Sequence, residues 1–261
     1  MVSPVTPSGF AVHRLGEVDS TNDWALAAAR DGAPDGTVAV ADFQRLGRGR
    51  LGRRWEAPPG SALLCSVLLR VALDPASRHL CSVAVALAAL DGCEAAAGLR
   101  ASCKWPNDLV VDDRKLAGIL AETDGAVDHD GATPIVVGIG LNLTWPGPPD
   151  AHGTSILDAT GRTVGRDAFL DAFLDALCGR DAALRDGAGR DGLVRDYRSR
   201  LATLGRRVRV ELHERAVEGV AADVTAGGHL VVATDRGAVE VAAGDVVHLR
   251  AAVEERAEGR G

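Results

Sequence analysis

TVAVADFQRLGRGRLGRRWEAPPG, residues 37–60, contains Gly47-Arg48-Gly49-Arg50-Leu51-Gly52, the G-x-G-x-x-G spacing of a dinucleotide-binding turn. Such a turn follows a strand and opens a helix, so that a pyrophosphate meets free N–H groups at the helix N-terminus. Residues 37–43 read as the strand leading in. The way out runs through Pro58-Pro59-Gly60, which cannot continue a helix. The stretch is therefore a glycine loop rather than a Rossmann turn, and a doubly wound dinucleotide fold is set aside. The loop carries Arg45, Arg48, Arg50, Arg53 and Arg54, a charge density that asks for an anionic partner; a solvated basic loop is the plain alternative.

Composition narrows the partner. At 261 residues and 46% hydrophobic content, the chain can bury one large domain, or a large one plus a small one. A net charge of −7 argues against a general nucleic-acid binder, so the arginines are a local device. The five cysteines (Cys65, Cys81, Cys93, Cys103, Cys178) show no C-x-x-C pair and lie mostly among apolar neighbours. That pattern suits buried thiols in a reducing cytoplasm. We read no signal peptide and no apolar run of membrane-spanning length, and so expect neither nucleic acid nor membrane as partner.

Scarcity is informative. Of 29 Lys plus Arg, only Lys104 and Lys115 are lysines; the asparagines are Asn22, Asn107 and Asn142, and the one glutamine is Gln44. In a chain so rich in Ala, Arg and Gly, these residues are expected where a substitute fails. They fall in four blocks: Ser20-Thr21-Asn22, the loop at Gln44, residues 104–118 (KWPNDLVVDDRKLAG) and Gly138-Ile-Gly-Leu-Asn142. A lysine is a compact point charge for a phosphate or carboxylate met at one point. An amide donates and accepts at once, which suits a urea, an amide or a nucleobase edge. Chance clustering and turn roles are the alternatives.

A coarse pass places these blocks. A helix starts at Ser20 and runs to about Arg30, with the serine as N-cap, a role that would by itself explain it. Residues 63–73 read as a strand, residues 78–97 as an alanine-rich helix stopped by Gly98, and residues 99–104, 108–112, 115–122 and 135–143 as further strands. Asp112-Asp113 is a turn and residues 128–131 a loop tip. Phe169, Leu170, Phe173, Leu174 and Leu177 mark the core face of one helix, and residues 193–201 another. From about residue 204 short strands follow one another (208–212, 217–224, 230–233, 239–241, 246–249) with a turn at Gly227-Gly228, predicting a small β-barrel-like domain; residues 254–261 are a charged tail expected to fray.

Gly47-Arg-Gly-Arg-Leu-Gly-Arg-Arg-Trp55, Lys104-Trp-Pro-Asn-Asp-Leu109 and Arg114-Lys-Leu-Ala-Gly-Ile-Leu120, in this order, closely resemble the biotin protein ligases over most of residues 12–250. The resemblance implies an α+β fold: a mixed-sheet catalytic domain of the biotin/lipoate ligase type (residues 1–203), a small SH3-like β-barrel domain (204–252) and a flexible tail (253–261). Bifunctional members carry an N-terminal winged helix that binds DNA; here the catalytic blocks begin by residue 20, so the ligase-only form without repressor activity is expected.

The implied chemistry is ATP-dependent activation of biotin as biotinyl-5′-AMP, then transfer to a lysine of a biotin carboxyl carrier domain. By resemblance, Ser20, Thr21, Asn22 and Gln44 surround the biotin ureido ring; Arg48, Gly49 and Arg50 line biotin and its carboxylate; Gly118 allows close approach to its tail, with a strand bulge as the other reading. Lys115 bridges carboxylate and α-phosphate, aided by Arg48 and Arg50. Arg50, Arg53 and Lys104 face phosphates, Asn107 and Asn142 the adenine edge, and Asp108 either Mg²⁺ or the structure beneath it. Trp55 and Trp105 wall the nucleotide or are simply core. A lipoate or octanoyl ligase and a non-catalytic RNA-binding module are the alternatives, and a homodimer is left open.

Overall fold

The computed structural model of the chain describes residues 9–125, 127–128, 131–212, 215–242 and 244–248. His129 and Asp130 of the expected loop tip, and the expected tail, lie outside the described residues.

Seven strands form the main sheet: β1 (Ala11–Val18), β2 (Thr37–Gln44), β3 (Ala62–Val71), β4 (Ser102–Lys104), β5 (Asp108–Val111), β6 (Arg114–Glu122) and β7 (Thr133–Asn142). Their order is β1-β2-β3-β7-β6-β5-β4, with β1 parallel to β2 and every other pair antiparallel. The edge strand β1 was not expected. It carries Arg14, Gly16 and Glu17 exposed and buries only Val12 fully, so the alternation that marks a half-buried strand is weak. Conversely, β4 is shorter than expected, because the amides of Gly98 and Leu99 turn back to Glu94 O and Cys93 O of the preceding helix. Gly98 takes the left-handed conformation (φ 66°) that such a helix end requires. The Asp112-Asp113 turn is present, with φ 49° and 61°, joining β5 to β6 as a two-residue hairpin.

Side chains alternate across β3 and β7, and the two faces meet different partners. Leu63, Cys65, Val67 and Leu69, with Ile135, Val137, Ile139 and Leu141, join one large core with α2 (His79–Ala97) and α4 (Arg166–Leu184). On the other face, Leu68 and Val136 pack against Ala25 and Ala29 of α1 (Thr21–Arg30). Next to them on that face, Ser66, Gly138 and Gly140 are small and leave room. A short α3 (Ile156–Thr160) and α5 (Gly187–Ser199) complete the helices.

The reading that no segment has membrane-spanning character needs correction. Helix α2 is long and apolar enough by composition, but 78% of its apolar window is buried inside the fold. A helix apolar on all sides is what a core between a sheet and a second helix layer demands.

Strands β8 (Arg207–Glu211), β9 (Ala216–Val224), β10 (Leu230–Thr234), β11 (Gly237–Val241) and β12 (Asp245–His248) form a separate antiparallel sheet in the order β11-β10-β9-β8-β12. This small β-domain and the mixed-sheet domain give the expected α+β class. Their contact is specific: Trp105 Nε1 donates to Gly228 O (3.1 Å), Arg206 pairs with Asp113 (2.7 Å), and a Cβ on Gly228 would lie 2.9 Å from His79.

Two predictions follow from burial. Burial pushes the thiols of Cys65, Cys81, Cys93 and Cys103 up to about 12, whereas Cys178 is exposed. An alkylating reagent at pH 8 should therefore label Cys178 rapidly and the other four thiols only after denaturation, as read by mass spectrometry. His79 at the domain junction has an enclosed, unpartnered Nε2, and burial, with His229 and Arg50 nearby, lowers its pKa to about 4. The unfolded chain then binds more protons between pH 6.5 and 4, so this contribution is complete above about pH 6.5 and falls as the pH drops. Urea unfolding at pH 5 should show a loss of about 2 kcal/mol relative to pH 7 that His79→Gln largely removes.

Candidate active site

The arginine loop is a tight hairpin laid over the open face of the sheet. Arg48 bridges Arg54, Gly49 N donates to Arg53 O (2.7 Å), and Trp55 N donates to Gly47 O (3.0 Å). At its tip Leu51 and Gly52 both have positive φ (55° and 73°), the pattern of a primed hairpin turn. No helix follows, in agreement with the sequence reading. Gly47 is obligatory, since a Cβ there would lie 2.4 Å from Trp55 O.

Beneath the loop is a cavity of about 100 Å³. Ser20, Thr21, Asn22, Gln44, Arg48, Gly49, Arg50, Asn107, Asp108, Lys115 and Gly118 all line it, so four separated blocks converge as expected. A second cavity of about 600 Å³ is lined by Lys104, Asn142, Asp113 and residues 146–148 and 151–153. Arg53, Arg54, Trp55, Asp108 and Lys115 border both. Trp105 borders neither: it is 1% exposed and belongs to the core at the domain junction. Of the two readings left open for it, core is the one realised.

Glycines open the floor. Gly118 of β6 pairs with Gly140 of β7, and the Trp55 indole lies on them; a Cβ would come within 3.1 Å of the ring at Gly118 and 2.3 Å at Gly140. Gly118 is thus a close-approach glycine. The bulge lies at Leu116, where Leu109 pairs with Ala117 but Val110 with Lys115. The extra residue re-aims Lys115 across Gly118, bringing its Nζ 2.7 Å from Asp108 Oδ1 and 5.7 Å from the Trp55 ring centroid. The Lys115 backbone is strapped by His152 O (3.0 Å) and Thr154 N (2.8 Å).

The polar groups are largely committed to one another. Gln44 Oε1 accepts from Thr21 N (2.7 Å) and Thr21 Oγ1 (3.0 Å), which directs its amide nitrogen away from them. Ser20 caps α1, accepting from Asp23 N (3.5 Å). Asn22 Nδ2 donates to Leu120 O and to Glu122 Oε2, while its Oδ1 accepts from Ser66 Oγ. Asn107 donates to Ile119 O and Asn142 to Thr154 O. Arg48 is held by Asp23 through two hydrogen bonds (2.6 and 2.7 Å) and by Glu122 (3.0 Å), and the Asp23 hydrogen bond raises it above the ordinary arginine value. Arg50 differs: its guanidinium reaches Gly244 O of the small domain (3.4 Å), and burial lowers its pKa against the pull of Asp108. A half-buried cation whose one hydrogen-bond partner among the described residues is a carbonyl is well suited to receive an anion.

Among the described residues no three His, Cys, Asp or Glu side chains gather to hold a metal ion. Asp108 already faces Lys115, so this donor set does not make a metal cradle. Sequence reasoning missed Asp23, Ser66 and Glu122, which act from separate elements; it marked the block Gly138-Ile-Gly-Leu-Asn142 for its asparagine, without reading the strand glycines as a sign of close approach.

Residues 16–142 match the family model of the biotin/lipoate A/B protein ligases, and residues 203–249 that of the biotin protein ligase C-terminal domain. A biotin--[acetyl-CoA-carboxylase] ligase of Mycobacterium tuberculosis is 39% identical over 90% of this chain and 88% of its own. One from Paracoccus denitrificans is 32% identical over 89% and 98%. The solved biotin protein ligase from Aquifex aeolicus, in complex with biotin and ATP, shares the fold with a TM-score of 0.77 and 26% identity over 92% of this chain and 99% of that one. Fold and cleft define a ligase catalytic domain with an appended β-domain. The chain belongs to the biotin/lipoate A/B protein ligase family.

A Cβ on Gly138 would fall 2.3 Å from Asn22 Oδ1, whereas nothing lies within 4 Å of one on Gly16. Gly138→Ala should cost about 1–3 kcal/mol in urea unfolding by breaking up the Asn22 hydrogen bonds, with Gly16→Ala within about 0.5 kcal/mol of the parent.

Proposed function

We propose that the chain is an ATP-dependent biotin–[biotin carboxyl carrier protein] ligase acting in the cytoplasm, with residues 1–203 as catalytic domain and 204–252 as the small domain. The observation that carries the reading is Lys115 Nζ, seated beside Asp108 at the seam of two cavities. The smaller cavity takes biotin. Its ureido end lies toward Ser20, Thr21, Asn22 and Gln44, with the Gln44 amide the principal side-chain donor and the committed Asn22 shaping the wall. Gly118 lies under the tail and Gly49 in the lid above. The larger takes ATP, with Arg53 and Lys104 toward phosphates, Trp55 as a wall and Asn142 toward the base; Asn107, expected at the adenine, borders the smaller cavity and not this one. The C-terminal family match favours biotin over lipoate or octanoate as substrate.

In the first step a biotin carboxylate oxygen attacks the α-phosphorus, and the bond to the bridging oxygen breaks to release pyrophosphate. Two anions must meet, and Lys115 lies between them while Arg50 adds charge from the loop. As substrates arrive, Lys115 exchanges its Asp108 contact for theirs; Asp108 thereby keeps the lysine in place beforehand. In the second step the acceptor lysine amine attacks the acyl carbon, an amide forms, AMP leaves and the amine proton passes to solvent. The hairpin excludes water from the mixed anhydride in between. Asp108 serves Lys115 rather than a metal ion, and no step above is routed through Mg²⁺.

Labelled biotin, ATP, Mg²⁺ and a carrier domain should yield covalently labelled carrier; no label on the carrier contradicts the reading. Lys115→Ala should lower adenylate formation by about 10²-fold or more, and Lys115→Arg should restore little, because the planar fork places its charge elsewhere. Pyrophosphate release near the parent rate in either variant removes Lys115 from the reaction.

A further inference from the structure

Arg48 sits in the ascending limb of the hairpin and borders the cavity, yet its guanidinium is engaged by two carboxylates that do not line it. It meets Asp23 in the first turn of α1 through both carboxylate oxygens (2.6 and 2.7 Å) and Glu122 at the end of β6 (3.0 and 3.2 Å). We infer that Asp23 and Glu122 are positioning residues: they form a carboxylate latch that seats Arg48 and holds the loop shut over the smaller cavity. The inference rests on the ligase reading for its catalytic consequence, not for the latch itself.

Four features support it. Arg48 bridges Arg54, so pinning Arg48 pins both limbs of the hairpin. Apolar burial does little to hold the loop, since Leu46 and Leu51 are 57% and 72% exposed; ionic contacts offset the entropy of ordering instead, Arg45 with Asp19 and Glu17 at the base and Arg48 with Asp23 and Glu122 further along. The cavity beneath the loop, at about 100 Å³, is below the size of an ordinary small-molecule site, so a ligand is admitted by displacing the loop. Asp23 responds to the pairing, its carboxyl held below the usual range by the Arg48 hydrogen bond.

Glu122 also connects the latch to the cavity wall. Its Oε2 accepts from Asn22 Nδ2 (2.6 Å) as well as from Arg48, and Asn22 is bonded in turn to Ser66 (2.6 Å) at the centre of the sheet. A ligand pressing on Asn22 therefore acts on the carboxylate that holds the lid. Each ion pair is partly exposed and individually weak, but three partners on three elements, joined by bidentate geometry, make a small network. The consequence is retention: an adenylate escapes at the rate the latch opens, whereas the chemistry beneath a closed loop is untouched.

The test compares the parent full-length chain with Asp23→Asn, Glu122→Gln, the double variant and Asp23→Glu. Ligand-free limited trypsinolysis reads cleavage at residues 45–54, all of whose arginines survive in every variant. Each single variant should be cut about 3- to 10-fold faster and the double variant faster still, with Asp23→Glu near the parent. With biotin and ATP, the variants should raise KM for biotin and release adenylate into solution while the saturated rate of adenylate formation stays within about twofold. Parent and double variant cut at equal rates would overturn the latch. So would a drop in the saturated rate with no change in adenylate release, which would place the carboxylates in the chemistry instead. Because the proteolysis arm contains no ligand, a failure of the ligase reading leaves its result intact.

Discussion

Everything in the site depends on a patch of sheet without side chains. β7 must be packed by core on one face along its whole length, and Ile135, Val137, Ile139 and Leu141 meet that demand. Alternation then fixes what the other face shows: Val136 under α1, Gly138 under Asn22, Gly140 under Trp55, and Asn142 at the end. Only glycine permits those approaches of 2.3 Å to a Cβ position, so an asparagine network and an indole lie directly on the backbone. Gly118, paired with Gly140, extends the floor to the strand that carries Lys115. The cavity is therefore a property of the sheet, and the loop merely covers it.

Charge is arranged in two ranks above that floor. Lys115 and Arg50 face inward and are incompletely satisfied: one leans on a single carboxylate, the other on a carbonyl oxygen. Arg48 and Arg45 are instead satisfied by carboxylates, Asp23 and Glu122 for the first and Asp19 and Glu17 for the second. Five arginines in one loop look equivalent in sequence but divide by their partners. A paired cation holds structure; an under-paired, half-buried cation is the one that gains most when an anion arrives.

That division explains how much of the molecule was legible beforehand. Local rules located what local chemistry sets: the Ser20 cap, the left-handed Gly98, the Asp112-Asp113 hairpin and the strands of the small domain. The scarce Lys, Asn and Gln residues likewise marked the cleft. Edge strand β1 escaped because solvent on its outer side erases the alternation of burial. Asp23, Ser66 and Glu122 escaped because acidic and hydroxyl residues are common here and their role exists only through contacts between α1, β3, β6 and the loop. Scarcity identifies a residue type under constraint; it says nothing about a common residue recruited by position.

The small domain belongs to the same argument. Its docking uses Trp105 of the KWPND turn, whose ring is core and whose N–H ends on Gly228 O, so the turn that presents Asn107 and Asp108 to the cleft is anchored from behind by the second domain. From the front, Gly244 O receives Arg50 of the lid. The same domain therefore touches the rigid floor and the movable cover at two separate points. A carbonyl accepting from Arg50 leaves the cation's full charge available, where a carboxylate in its place would cancel it. Holding Arg50 by a backbone oxygen therefore positions the charge without neutralising it, and this gives the appended domain a role in the electrostatics of the cleft as well as in its walls.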